Sequence, residues 1–404
     1  MFTMTDASHL SSESGWPLRD QFAIVGIGET EYTRAGRASQ PEFSLACEAV
    51  SKAVDDAGLG LADVDGLCAY GYEHSDPLTL AQALGLEHLS YAAQYPGGGN
   101  AATGIVHHAL AGLAAGEAEV VVCYRSICQG QFGRYGQSLQ DPVELAQSEW
   151  RNFAGPFGMF TAAHMYALAA RRHMALYGTT SAQFGRVAVA SYDNAQRNAR
   201  AVMHGRPITL ADHQASRMIA DPYRLYDCCQ ESDGAAAVVV TRIERARSCP
   251  HPVVSIAGAA HGMARFHGLD IRPQQLWAEG GLADSATELY RRAGIGPQEV
   301  DVAQLYDAFT GNVIMHLEDF GFCERGEAGP FVESGAIDWP HGSLPVNTAG
   351  GNLAEAYIHG FGHVLEAVRQ MRGTSTSQVA EAEHGLVVSA IGAYSGGLIL
   401  RRSR

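Results

Sequence analysis

At 404 residues the chain exceeds what one hydrophobic core usually supports, so two half-sized units or one extended core are expected. Its 46% hydrophobic and 18% charged residues are those of a globular α/β protein, and no run approaches the roughly 20 apolar residues of a membrane span. A formal net charge of −15 without a basic block argues against a nucleic-acid partner, because phosphate binding needs clustered Lys and Arg.

The first 20 residues carry neither a basic head nor an apolar run, so a disordered arm is expected over 1–20 and a cytoplasmic location for the protein. Phe22 to Gly28 reads as a short buried strand, Phe43 to Ala57 as a helix stopped by Gly58, and Val64 to Tyr70 as a second strand. The same order returns as a strand from Val253 to Ala257, a helix from Ala283 to Ala293 and a strand from Val300 to Tyr306. Ala57-Gly-Leu-Gly60 before Val64-Asp65 matches Ala293-Gly-Ile-Gly296 before Val300-Asp301 at the same spacing, the mark of two alike halves. Between the strands Glu119 to Tyr124 and Ala235 to Arg242 the alternation breaks. Helical patterns at Thr161 to Tyr177 and Ser181 to Arg200 sit there, within an inserted cap expected over about 125–226, the kind of segment that carries substrate-binding residues.

The eight cysteines are scattered, with no CxxC pair and no metal-ligand spacing, which fits reduced thiols and no metal site. Cys228-Cys229 lies just before a core strand and reads as structural. Cys323 follows the helical run Gly311 to Phe320 with nothing beside it in sequence to act as its base. Neither Gly97 to Gly99 nor Gly350-Gly351 has the spacing of a nucleotide-binding loop.

Four segments together resemble the thiolase superfamily, in the branch of the lipid-transfer-protein thiolases. Asp227 to Val240 resembles the stretch that ends the family's N-terminal half, Gln304-Leu-Tyr-Asp-Ala-Phe-Thr310 its His-Asp-Cys-Phe or Asn-Glu-Ala-Phe motif, and Val346 to Gly360 its Asn-x-x-Gly-Gly run followed by Gly-His-Pro. Tyr306 and Tyr357 stand where the family has catalytic His or Asn residues. Gly98 to Gly104 matches the nucleophile segment, but Ala101 replaces the cysteine, and Ala390 replaces the second reactive residue near the C-terminus. Alanine has no lone pair, so neither the acyl-enzyme nor the thiol base of a thiolase forms at these positions.

That pattern of loss is similar to the thiolase-like aldolases of bacterial steroid side-chain degradation. The resemblance implies an α/β fold of two related βαβαβαββ halves, 21–252 and 253–404, in a five-layer αβαβα arrangement. It also implies a homodimer, a small partner subunit with an OB-fold, and retro-aldol cleavage of a β-hydroxyacyl-CoA to a ketone or aldehyde plus a short acyl-CoA such as propionyl-CoA. No cofactor is expected, CoA being part of the substrate. Retro-aldol cleavage needs a base for the hydroxyl, a stabilised enolate and a proton for the carbanion carbon, but no nucleophile. Tyr306 and Tyr357 are the candidates for acid and base, undivided between the two, with His359 as a relay. Ala101, Gly392 and Asn352 are the candidates for holding the oxyanion or the substrate, and the Gly97 to Gly99 run for close approach to a ligand. Two other readings stay open: a catalytically silent acyl-CoA-binding or scaffold subunit, and a thiolase using a displaced cysteine such as Cys323.

Overall fold

The computed structural model describes residues 15–134, 136, 155–159, 161–262, 282–391 and 395–403. The expected arm therefore lies largely outside the described residues. From Gly15 onward the chain is held in place. Arg19 Nε donates to the Arg292 carbonyl at 2.6 Å, Ser255 Oγ to Asp20 at 2.7 Å, and Asp20 also pairs with Arg401.

Strands β1 (Phe22–Glu29), β2 (Gly66–Tyr70), β3 (Tyr91–Tyr95), β4 (Val120–Cys128) and β5 (Ser232–Arg242) belong to the first half. Strands β6 (Val254–Gly262), β7 (Val302–Leu305), β8 (His384–Val388) and β9 (Ser395–Arg402) belong to the second. They run side by side as β7-β8-β9-β6-β1-β5-β4-β2-β3, with the two-residue strand Thr33–Arg34 attached to β5. Numbered within each half, the N-terminal order is 3-2-4-5-1 and the C-terminal order 2-3-4-1, which coincide once strand 3 of the N-terminal half is set aside, and the first strands of the two halves meet as an antiparallel pair, Ala23 opposite Ser255. Among the described residues, a parallel bridge between Val346 and Ala303 stands in the second half where strand 3 pairs with strand 2 in the first. This repeat of order is the duplication that the Ala-Gly-x-Gly echo anticipated.

Alternation along the strands divides the core into layers. Phe22 and Ile24 of β1 face the middle of the molecule, whereas Ala23 and Val25 face α1 (Glu42–Asp56), whose Leu45, Ala46, Ala49, Val50 and Ala53 form one apolar stripe. The middle layer holds α2 (Ala101–Ala115) and, from the C-terminal half, α7 (Phe361–Arg372); each packs on strands of both halves. A charged residue on the buried faces of α2 would lack solvent, which accounts for the Ala, Ile, Val, Leu, Gly and Thr found there, with His107 and His108 at half-buried positions. The far face of the second half is covered by α5 (Ala283–Ala293) and α6 (Thr310–Asp319). Five layers, αβαβα, result.

The insertion begins later than the sequence pattern indicated, because β4 runs on through Arg125 to Cys128. Its helices α3 (Ala162–Tyr177) and α4 (Ser181–Ala195) lie on the C-terminal half and not on the half that encodes them. Asn194 donates to the carbonyls of Val346 and Asn347, each at 3.2 Å, and Asn198 to Ala349 at 3.0 Å, so the insertion buttresses the loop before Tyr357. Among the described residues no helix is long and apolar enough to cross a membrane.

Candidate active site

Tyr306 follows directly on β7 and prolongs the ladder, its N–H donating to Val388 at 3.1 Å. Its side chain is 2% exposed. The space it fills is made by glycines: a Cβ on Gly99 would stand 2.1 Å from the Tyr306 hydroxyl, and one on Gly360 2.5 Å from its ring. The glycine run before Ala101 thus makes room for a side chain of this chain, where the sequence suggested room for a ligand.

Tyr357 comes from the other side, on the segment after the short helix Gly351–Ala354. Its N–H donates to Ser232 Oγ at 2.7 Å, which ties the segment to β5. The hydroxyls of Tyr306 and Tyr357 lie 3.1 Å apart. Burial, then the neighbouring Tyr357, push the Tyr306 phenol well above its ordinary value, so Tyr306 rests as a neutral phenol.

His359 has a left-handed backbone (φ 49), and the Tyr70 hydroxyl donates to its carbonyl at 3.3 Å. Its ring meets that of Tyr357 edge-on, with centroids 5.1 Å apart. Arg125 Nε donates to His359 Nδ1 at 3.1 Å. Arg125 is in turn anchored through Nη1 to Glu73 at 3.1 Å and to the Tyr72 carbonyl at 2.9 Å, with the Arg125 and Glu73 side chains 1% and 0% exposed. Glu73 also accepts from the Ser126 N–H at 2.8 Å, the Ser126 hydroxyl at 2.5 Å and the Ser75 N–H at 3.0 Å, so the buried carboxylate is well supplied with donors. Burial and the charges of Arg125 and His74 hold His359 well below the usual imidazole value, so its ring is neutral. Neither Arg125 nor Glu73 was found from sequence. A lone Arg inside the apolar run Val-Val-Val-Cys-Tyr-Arg-Ser-Ile-Cys was the available signal, since such a residue needs a buried partner.

Ala101 heads α2 as expected, but its N–H donates to Gly98 at 2.8 Å. Ala390 lies beside it, its N–H on the Gly99 carbonyl at 3.1 Å. Gly392 lies outside the described residues. Asn352 is buried against another group: its N–H donates to Asp307 at 2.8 Å and its side chain meets His363 Nε2 at 3.3 Å, while His363 also meets Asp307 at 3.0 Å. That triad fixes the loop between the two tyrosines. From the insertion, Tyr166 donates to the Ile391 carbonyl at 2.9 Å, next to Ala390.

Cys228, Cys229 and Cys323 are poorly suited to nucleophilic work. Burial pushes Cys228 and Cys323 up to about 12, and Cys229 well above its ordinary value.

The family model for the thiolase C-terminal domain matches residues 267–400. The chain is 42% identical over 387 residues to 17-hydroxy-3-oxo-4-pregnene-20-carboxyl-CoA lyase of Mycobacterium tuberculosis, covering 95% of this chain and 100% of that one. It is 43% identical to the steroid side-chain-cleaving aldolase of Thermomonospora curvata, covering 95% and 98%. The chain belongs to the thiolase-like steroid side-chain-cleaving aldolases. A solved Ltp2-ChsH2(DUF35) aldolase superposes on this aldolase with a TM-score of 0.89 at 41% identity, over 96% of this chain and 99% of that one. Human mitochondrial 3-ketoacyl-CoA thiolase, at 15% identity, shares the fold with a TM-score of 0.70, over 96% and 100% of the two chains. The aldolase therefore shares the thiolase fold.

Proposed function

We propose that this aldolase cleaves the carbon–carbon bond between the α- and β-carbons of a β-hydroxyacyl-CoA whose β-carbon belongs to a steroid ring, giving a ring ketone and a short acyl-CoA such as propionyl-CoA. The observation that carries the reading is the hydrogen bond between Tyr306 and Tyr357 at the two positions where a thiolase keeps catalytic His or Asn residues. A phenol held above its ordinary value is a poor resting base, but a hydrogen-bonded pair moves a proton without either ring ionising for long. One phenol oxygen takes the proton of the substrate hydroxyl as its own proton passes to the second phenol, and the second releases its own proton to the α-carbon in the same relay. The substrate O–H bond breaks, the carbonyl forms, the carbon–carbon bond cleaves, and its electron pair, drawn toward the thioester oxygen as enolate character, takes up that proton. Each phenol ends with one proton, and the pair returns to its starting state.

CoA takes part only as the leaving acyl carrier, so no further cofactor is required. The relative described with a DUF35 subunit supports a small OB-fold partner for this chain too, and the family resemblance supports a homodimer. A cytoplasmic location accords with eight free cysteines. The test is mass spectrometry of the protein, with its partner, on a 17-hydroxy steroid carboxyl-CoA. Ketone and acyl-CoA formed without added free CoA establish aldol cleavage, because a thiolase consumes CoA. Absence of products with the partner present favours the silent subunit.

A further inference from the structure

An enolate oxygen inside a buried site needs hydrogen-bond donors aimed at it. The donor expected from sequence, the Ala101 N–H, is engaged with Gly98 at 2.8 Å. Two successive glycines instead set two side chains side by side. A Cβ on Gly98 would lie 3.3 Å from His359 Nε2, and one on Gly99 would lie 2.1 Å from the Tyr306 hydroxyl. Both groups therefore border the same strip of backbone.

The state of His359 follows from its partner. A guanidinium nitrogen only donates, so His359 Nδ1, 3.1 Å from Arg125 Nε, must accept. In the neutral ring the single proton is then on Nε2. Arg125 has little freedom to release that bond, because Glu73 and the Tyr72 carbonyl hold its other end and both charged side chains are buried. The ring is held as well, stacked with the Tyr70 ring at 6.0 Å between centroids and set edge-on to the Tyr357 ring at 5.1 Å. Resting on the retro-aldol reading above, we propose that His359 is a donor and not a base: its Nε2–H hydrogen-bonds the thioester oxygen as it becomes an enolate, and Arg125 and Glu73 are positioning residues that lock the tautomer. No proton leaves His359 during the cycle. A neutral imidazole is well matched to this role, since it polarises a carbonyl without protonating it.

The experiment compares His359→Phe with His359→Gln in the complete complex and reads the tautomer in the wild type. Both variants meet the same left-handed backbone, so their difference isolates the N–H. His359→Phe is expected to lower kcat by about 10²-fold or more. His359→Gln, whose amide reaches the place of Nε2, is expected to recover part of that loss, with KM unchanged between the two. Histidine ¹⁵N spectra, assigned by the signal missing in the variants, are expected to show the Nε2–H tautomer from pH 6 to pH 8. Arg125→Lys, which keeps a cation beside Glu73 but loses the in-plane Nε–H, is expected to give a mixture of tautomers and a lower kcat. Equal loss in the Phe and Gln variants, or an Nδ1–H tautomer in an active wild type, overturns the donor role and leaves the reaction standing. A wild type that cleaves no β-hydroxyacyl-CoA overturns the reaction itself, and the donor role with it.

Discussion

The hydroxyl of Tyr306, carried by the end of β7, hydrogen-bonds the hydroxyl of Tyr357 at 3.1 Å across 51 residues of sequence. Each phenol is the other's proton partner. Tyr306→Phe and Tyr357→Phe are therefore each expected to lower kcat by about 10²- to 10⁴-fold, the usual worth of a positioned acid or base. The double variant should lose little more than the worse single one, since a broken relay cannot be broken twice. Steady-state kinetics on the three variants, with circular dichroism to confirm folding, check this. Additive losses would mean that the tyrosines work separately.

Gly99 has no room for a methyl group, because its Cβ would meet the Tyr306 hydroxyl at 2.1 Å. Gly99→Ala is expected to displace that hydroxyl, destabilise the fold by about 1–3 kcal/mol and lower kcat far more than KM. Gly98→Ala, at 3.3 Å from His359 Nε2, should be milder in both respects. Thermal melts beside kinetics give the comparison.

Two residues before Tyr357, Glu355 is buried facing Glu29, Arg369, Arg200 and Glu366, and accepts from Asn198 at 2.8 Å. Burial, then Glu29, push its carboxyl up to about 8. In the unfolded chain it ionises near 4.5, so between that pH and about 8 the folded state holds the extra proton and stability falls as pH rises. Glu355→Gln mimics the protonated form and removes this dependence. The melting temperature of the variant minus that of the wild type should grow from pH 5 to pH 8 and level off above. A difference constant across that range would show that Glu355 is ionised in the fold.

Burial keeps Cys323 protonated, with its value pushed up to about 12. Cys323→Ala should retain activity within about twofold, since thiolate chemistry requires the ionised form. Intact-mass measurement after incubation with acyl-CoA should show no acyl adduct. A stable adduct lost in the variant would restore the displaced-cysteine reading.

Much of this protein is legible in its sequence. The Ala-Gly-x-Gly echo and repeated strand–helix–strand order gave two halves, because hydrophobic periodicity and glycine stops are local properties. Tyr306 and Tyr357 were visible as replacements inside motifs, and the alanines at 101 and 390 ruled out thiol chemistry there by residue type alone. Bounds of the insertion were less legible, since β4 continues through Arg125 and pays no heed to the break in pattern.

What only the tertiary structure decided is which donor meets which acceptor. Arg125 reaches His359 across 234 residues, a bond that nothing in the order of the sequence announces. Asn352, taken as a substrate contact, is bound to Asp307 and His363, and the Ala101 N–H, taken as an oxyanion donor, is bound to Gly98. Residue identity fixes what a group is able to donate or accept. Its actual partner depends on how distant segments pack, and a backbone N–H leaves no trace in the side chain that carries its number.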